Sequence, residues 1–208
     1  MKRSLCNELF GSIPFWKQCE ITLASGLEGI EIAPFTIADE SYRFPSTLAS
    51  SLKRTLDDFG LGFAGLHWLL TKPDGLLLTS KDAKKRQESL DFLLRLAEFS
   101  DRMGGGVMTL GGPKQRAAVD GVSVSEANAY LNEVFVEFGE RTKGYVSRLA
   151  IEALSGDQTD VVNTFEEGRR ILEGADGSRV TSMFDFHNTT EEKDSWETLI
   201  RTNMDIIS

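Results

Sequence analysis

The sequence predicts an α/β protein of the (β/α)8 barrel type, present as about six parallel β/α units. Three observations carry this expectation. Short apolar runs and longer stretches of helical spacing alternate from one end of the chain to the other. The last two runs, Arg148-Leu-Ala-Ile-Glu152 and Val180-Thr-Ser-Met-Phe-Asp185, each end on an acid, and parallel barrels collect functional groups at the carboxyl ends of their strands. The units average roughly 35 residues, so the 208 residues hold six where a closed barrel would need about 280.

The elements follow in order. Strands are expected near 3–9, 28–33, 62–68, 105–110, 147–153 and 180–185, and helices near 14–25, 46–59, 81–102, 123–143, 162–173 and 192–206. Alternation of this kind implies βαβ crossovers and a parallel sheet. The clearest helix is 81–102, where Leu90, Leu93, Leu94 and Ala97 share one face while Lys84, Lys85, Glu88, Asp91 and Arg95 share the other. Ser46 and Ser80 are expected to cap the second and third helices. Gly26 and Gly60 stand where helices should end, and Gly104-Gly105-Gly106 should turn the chain into the fourth strand. A doubly wound open sheet competes with the barrel. Its phosphate loop should follow strand one, yet Phe10-Gly11-Ser12-Ile13-Pro14 lacks the Gly-x-Gly-x-x-Gly spacing.

Composition sets the outer bounds. One domain spanning 1–208 is expected, without linkers or repeats, and 40% apolar and 26% charged residues are ordinary for a globular chain. The net charge of -9 argues against a nucleic-acid partner, which needs a basic face. Cys6 and Cys19 fall in a strand and a helix, so reduced thiols and a cytoplasmic location are expected rather than a disulfide framework. No apolar run approaches the length of a membrane span, and the N-terminal residues carry no apolar signal region.

Several residues can carry chemistry. Glu152 and Asp185, on neighbouring strand ends, would repel each other unless a cation lay between them, or each could pair with a base in a loop. His187, two residues after Asp185, points to the same side of an extended segment; a loop hydrogen bond is the plainer role. His67 ends the third run and could bond a sugar hydroxyl, shuttle a proton or serve structure alone. Glu8 and Glu31 end the first two runs and could hold a polyol hydroxyl or pair with a base. Trp16, Phe35 and Trp68 could pack a sugar ring or belong to the core. Gly111-Gly112-Pro113-Lys114-Gln115-Arg116 follows strand four. Its glycines permit close backbone approach, and Lys114 and Arg116 could hold a phosphate or carboxylate. It fits no Walker pattern.

These residues sit in stretches that resemble a known superfamily. Cys6-Asn7-Glu8, Gly29-Ile-Glu-Ile-Ala-Pro-Phe-Thr36, Gly65-Leu-His-Trp-Leu-Leu70, Pro113-Lys-Gln-Arg116, Leu149-Ala-Ile-Glu152, Asn163-Thr164 and Met183-Phe-Asp-Phe-His-Asn-Thr189 occur in the order found in the xylose isomerase-like TIM-barrel superfamily. The likeness is to its sugar-phosphate isomerase/epimerase and D-tagatose 3-epimerase-like members. The resemblance implies one divalent cation, Mn2+, Mg2+ or Co2+, held by Glu, Asp, His and Glu. Glu152 and Asp185 match the first two ligands, and His187 matches a substrate-contacting histidine. The other two ligands would lie on strands seven and eight, so the chain is expected to be a C-terminally truncated barrel. Ala153 stands where members often carry Pro, and Gln158 where a glutamate frequently contacts substrate. The implied activity is isomerisation or epimerisation of a sugar or sugar phosphate, with Glu152 transferring a proton next to a carbonyl. The rival expectation is an impaired or inactive barrel remnant that forms homo-oligomers through open strand edges. An AP endonuclease of the same superfamily would need several histidines and a basic face, against two histidines and a net charge of -9 here.

Overall fold

Six parallel strands lie side by side in the order in which the chain makes them, β1 Ser4–Cys6, β2 Gly29–Ile32, β3 Gly62–Leu66, β4 Val107–Leu110, β5 Arg148–Glu152 and β6 Val180–Met183. The computed structural model describes residues 2–38 and 41–208. Each strand is followed by a helix: α1 Phe15–Ala24, α2 Ser46–Phe59, α3 Ala83–Arg102, α4 Val124–Arg141, α5 Phe165–Ile171 and α6 Trp196–Asn203. Short 3-10 turns at Asn7–Phe10 and Pro34–Thr36 follow β1 and β2. This is the expected β/α rhythm, with shorter strands. The sheet is an open arc of a barrel, since among the described residues β1 pairs only with β2.

The strands are brief because apolar runs continue into rim loops. The core joins Ile30, Ile32 and Leu66 to Met108, Leu110, Leu149 and Ile151 of the strands, and Leu52, Leu56, Leu93, Leu96, Phe135 and Phe138 of the helices. Such alternating burial is the main stabilising term of the fold. β3 and β4 approach unusually closely. Side chains at Gly65 (φ 148°) or Gly106 would run into the facing backbone, so both positions require glycine. A register shift in β2·β3 leaves Ala64 unpaired and sets Glu31 opposite Gly65.

Two helix starts differ from expectation. Pro45 occupies the N-cap of α2 and Ser46 is its first helical residue, without a cap bond. Asp82, not Ser80, caps α3 by accepting from the Lys84 N–H. Ser80 sits two residues earlier and accepts from the Asp82 N–H at 3.2 Å. Gly60 ends α2 in the left-handed conformation (φ 68°) as expected. Gly104 and Gly105 turn with φ of 108° and 82°. At the other edge, Ile206–Ser208 lies along β6: Ser182 N–H donates to Ile206 O at 2.6 Å and Ser208 N–H to Ser182 O at 3.0 Å. No helix among the described residues is long and apolar enough to cross a membrane.

Candidate active site at the carboxyl rim

Glu152 is the last residue of β5, paired with Met183 of β6, so Asp185 emerges two residues beyond its partner. Ile151 lies against α5; Glu152, next in the alternation, projects from the opposite face. Its side chain is only 6% exposed. Asn188 joins the two acids, its Nδ2 donating to Glu152 Oε1 at 3.2 Å and to Asp185 Oδ2 at 2.7 Å. The carboxyl groups therefore converge on one amide nitrogen. Asn188 is fixed in turn, because its Oδ1 accepts from Ser155 Oγ (3.0 Å) and Gln158 Nε2 (2.8 Å).

This arrangement pushes the Glu152 carboxyl up to about 7. Burial is the main cause, reinforced by the Asp185 carboxyl and opposed by His67 and Arg116. A carboxyl titrating near neutrality can both hold and release a proton there.

His67 follows β3 directly. Its Nδ1 lies 3.5 Å from Glu31 Oε2 at the end of the neighbouring strand. Burial works against the imidazolium, but the hydrogen bond and charge of Glu31, with Glu152 and Glu8, outweigh it and raise its pKa. Trp68, strained at φ 55°, packs edge-on against His67 with centroids 5.4 Å apart.

The other candidates are scattered around this centre. Glu8 is half-buried in the turn after β1, and Lys114 is exposed. His187 is exposed too, its backbone N–H donating to Asp185 Oδ1 at 2.8 Å. Arg116 is fully buried, and its Nη2 donates to the Glu152 carbonyl oxygen at 2.7 Å. Burial lowers its guanidinium to about 10, so it stays charged at neutral pH. Trp16 is exposed on α1, remote in sequence from the acids, and Phe35 lies in the turn after β2. Asn188 was given no role in the sequence reading. The one signal for Asn188 was its place three residues after Asp185, the spacing of a side chain folding back over a turn.

Glu152 and Asp185 are hard oxygen donors of the kind a divalent cation takes. Among the described residues, no group of three or more His, Cys, Asp or Glu is placed to hold a metal ion. The pair alone does not make up such a group.

Known proteins carry the same frame. The family model described as "Xylose isomerase-like TIM barrel" matches residues 19–207. A probable ketose 3-epimerase of Synechocystis sp. is 28% identical over 173 residues, 81% of this chain and 56% of the relative. A probable endonuclease 4 of Acholeplasma laidlawii is 30% identical over 120 residues, 57% of this chain and 40% of the relative. The chain thus spans about half the length of these curated relatives. A crystal structure of D-psicose 3-epimerase superposes with a TM-score of 0.81 at 20% identity, covering all of this chain and 71% of that one. The 3-keto-D-glucoside 4-epimerase of E. coli gives 0.80 at 15% identity, covering all of this chain and 77% of that one. With its open six-strand arc and acid-bearing rim, the chain belongs to the xylose isomerase-like TIM-barrel family.

Proposed function

We propose that this chain carries the proton-transferring half of a sugar or sugar-phosphate isomerase/epimerase site. The observation that carries the reading is the convergence of Glu152 and Asp185 on Asn188 Nδ2 at the carboxyl rim, with Glu152 titrating near 7. Epimerisation or isomerisation of a ketose begins with loss of a proton beside the carbonyl. Glu152 is the base: it is buried, set at a strand end, and half-ionised at neutral pH. His67, held by Glu31 at 3.5 Å, is a hydrogen-bonding group on the same rim and binds a sugar hydroxyl. His187 lies exposed beyond Asp185, in position to contact substrate. Lys114 is the exposed cation available to a phosphate; Arg116 is too deeply buried to serve in that way. Glu152 and Asp185 would hold a divalent cation, Mn2+, Mg2+ or Co2+, which when bound polarises the carbonyl and stabilises the enediolate. The ketose 3-epimerase relative favours this reading over the endonuclease, because its likeness spans more of the chain. The net charge of -9 points the same way. Self-association through the open edge of β1 belongs to the rival reading, an impaired or inactive barrel remnant.

Two measurements test it. Saturating Mn2+ at 100 times its Kd adds about 2.7 kcal/mol to the folded state, so Tm should rise with metal and the rise should vanish in Glu152→Ala. In D2O with Mn2+ and D-fructose, the proton beside the carbonyl should wash out of the 1H spectrum. Absence of both the thermal shift and the exchange at millimolar metal would end the proposal.

A further inference from the structure

We infer that the loop Gly111–Arg116 positions Glu152, gripping that residue at both its side chain and its backbone. The inference rests on the proposed role of Glu152 and names two residues, Gly111 and Arg116, that place it. β4 ends at Leu110, beside Ile151 of β5, so the loop leaves the sheet next to the acid. At Gly111, an added Cβ would overlap Glu152 Oε2 and lie 3.1 Å from Glu152 Cδ. All three nearest atoms to that added carbon belong to Glu152. The missing side chain is therefore a recess in which the carboxylate rests. Gly111 has no left-handed backbone to explain it, unlike Gly104 or Gly105.

Arg116 holds the other end. Its Nη2 donates to the Glu152 carbonyl oxygen at 2.7 Å across 36 residues of sequence. Its own backbone N–H closes a turn within the loop onto Pro113 O (3.3 Å), and Gln115 O accepts from Leu78 N–H (2.9 Å), which ties the loop to the segment before α3. The guanidinium has no exposed surface, and its Nε and Nη1 find no protein partner. A buried cation with orphaned donors is an expensive way to hold a loop. It is a natural way to place positive charge beneath a buried carboxylate. The loop thus acts on the acid from below and beside, and Lys114 alone of its cations faces solvent.

The test uses Gly111→Ala in the full chain and reads Glu152 through Asn188, whose Nδ2 bonds it directly. The side-chain amide signal of Asn188 in a 1H–15N spectrum, without metal, should move in Gly111→Ala. In the Glu152→Ala background the same substitution should leave it still. Tm should fall only modestly, because the clash is confined to the side chain of one residue, Glu152. Mn2+ affinity should fall tenfold or more. Arg116→Lys, which keeps the charge and loses the fork, should shift the same amide in part. An unmoved amide in Gly111→Ala, or a shift equally large without the Glu152 carboxylate, overturns the inference. If the wild-type chain binds no Mn2+, the metal reading fails alone, and the amide signal still decides the role of the loop.

Discussion

At pH 7 the Glu152 carboxyl stands near half-ionisation, while in the unfolded chain it would be charged above about 4.5. Folding thus favours its protonated form. The stability this contributes is complete below the unfolded value and is lost as pH rises through 7. We expect the wild type to lose roughly 2–3 kcal/mol relative to Glu152→Gln between pH 4.5 and 8. Urea unfolding of both proteins across that range checks this; parallel curves would show that Glu152 is not buried as described. The isosteric amide should also be the more stable protein above pH 7. The sequence singled this residue out as an acid closing an apolar run next to the strand that leads to Asp185, with an ion pair to a loop base as the plainer alternative. The direction of Arg116 was not legible in sequence. Gly-Gly-Pro-Lys-Gln-Arg reads as an exposed anion loop, and only the fold shows that one of its two cations turns inward under β5. Asn188 was missed because a neutral amide carries no charge to single it out, although it joins both acids. Likewise Glu31 and His67 were read as separate strand ends, and pairing of β2 with β3 makes them neighbours.

Among the elements, periodicity located all six helices, but their first residues depended on local competition. A serine before an apolar run signals a cap, yet at α2 Pro45 already holds the extended conformation and leaves Ser46 inside the helix. At α4 the signal is complete. Ser123 accepts from the Glu126 N–H, and Glu126 returns to the Ser123 N–H at 2.8 Å. Ser123→Ala should therefore cost about 1 kcal/mol and lower Tm by roughly 2–4 °C. Ser46→Ala should leave Tm within about 1 °C, because no cap bond is lost. Calorimetry on the two variants separates these outcomes; equal losses would mean that the α4 box adds nothing beyond intrinsic helix propensity. The strand ends were overcalled for a related reason. Apolar residues recur past Leu66 and Met183, and Leu9 and Phe10 follow Cys6 after two polar residues, but there the backbone leaves the ladder to form the rim. The rim loops, which hold the candidate site, obey contacts between distant segments that no local pattern records.

Across the whole molecule, the arc has two unlike edges. β6 is lined by Ile206–Ser208, whereas the outer side of β1 has no partner strand among the described residues. Near β1, Leu9 in the turn that follows it is 76% exposed, and Trp16 of α1 is 54% exposed. An unpaired strand edge with apolar neighbours is a template for another chain. The net charge of -9 opposes that contact by repulsion between copies, and added salt screens it. Association through this edge should therefore strengthen as salt rises from about 0.02 to 0.5 M, the reverse of an assembly held by opposite charges. Sedimentation velocity at two salt concentrations reads the difference directly. Leu9→Lys with Trp16→Lys should return the chain to monomer without changing its circular dichroism, since both side chains lie outside the core cluster. A wild type that sediments as a monomer at high salt and high concentration would show that the edge of β1 is inert.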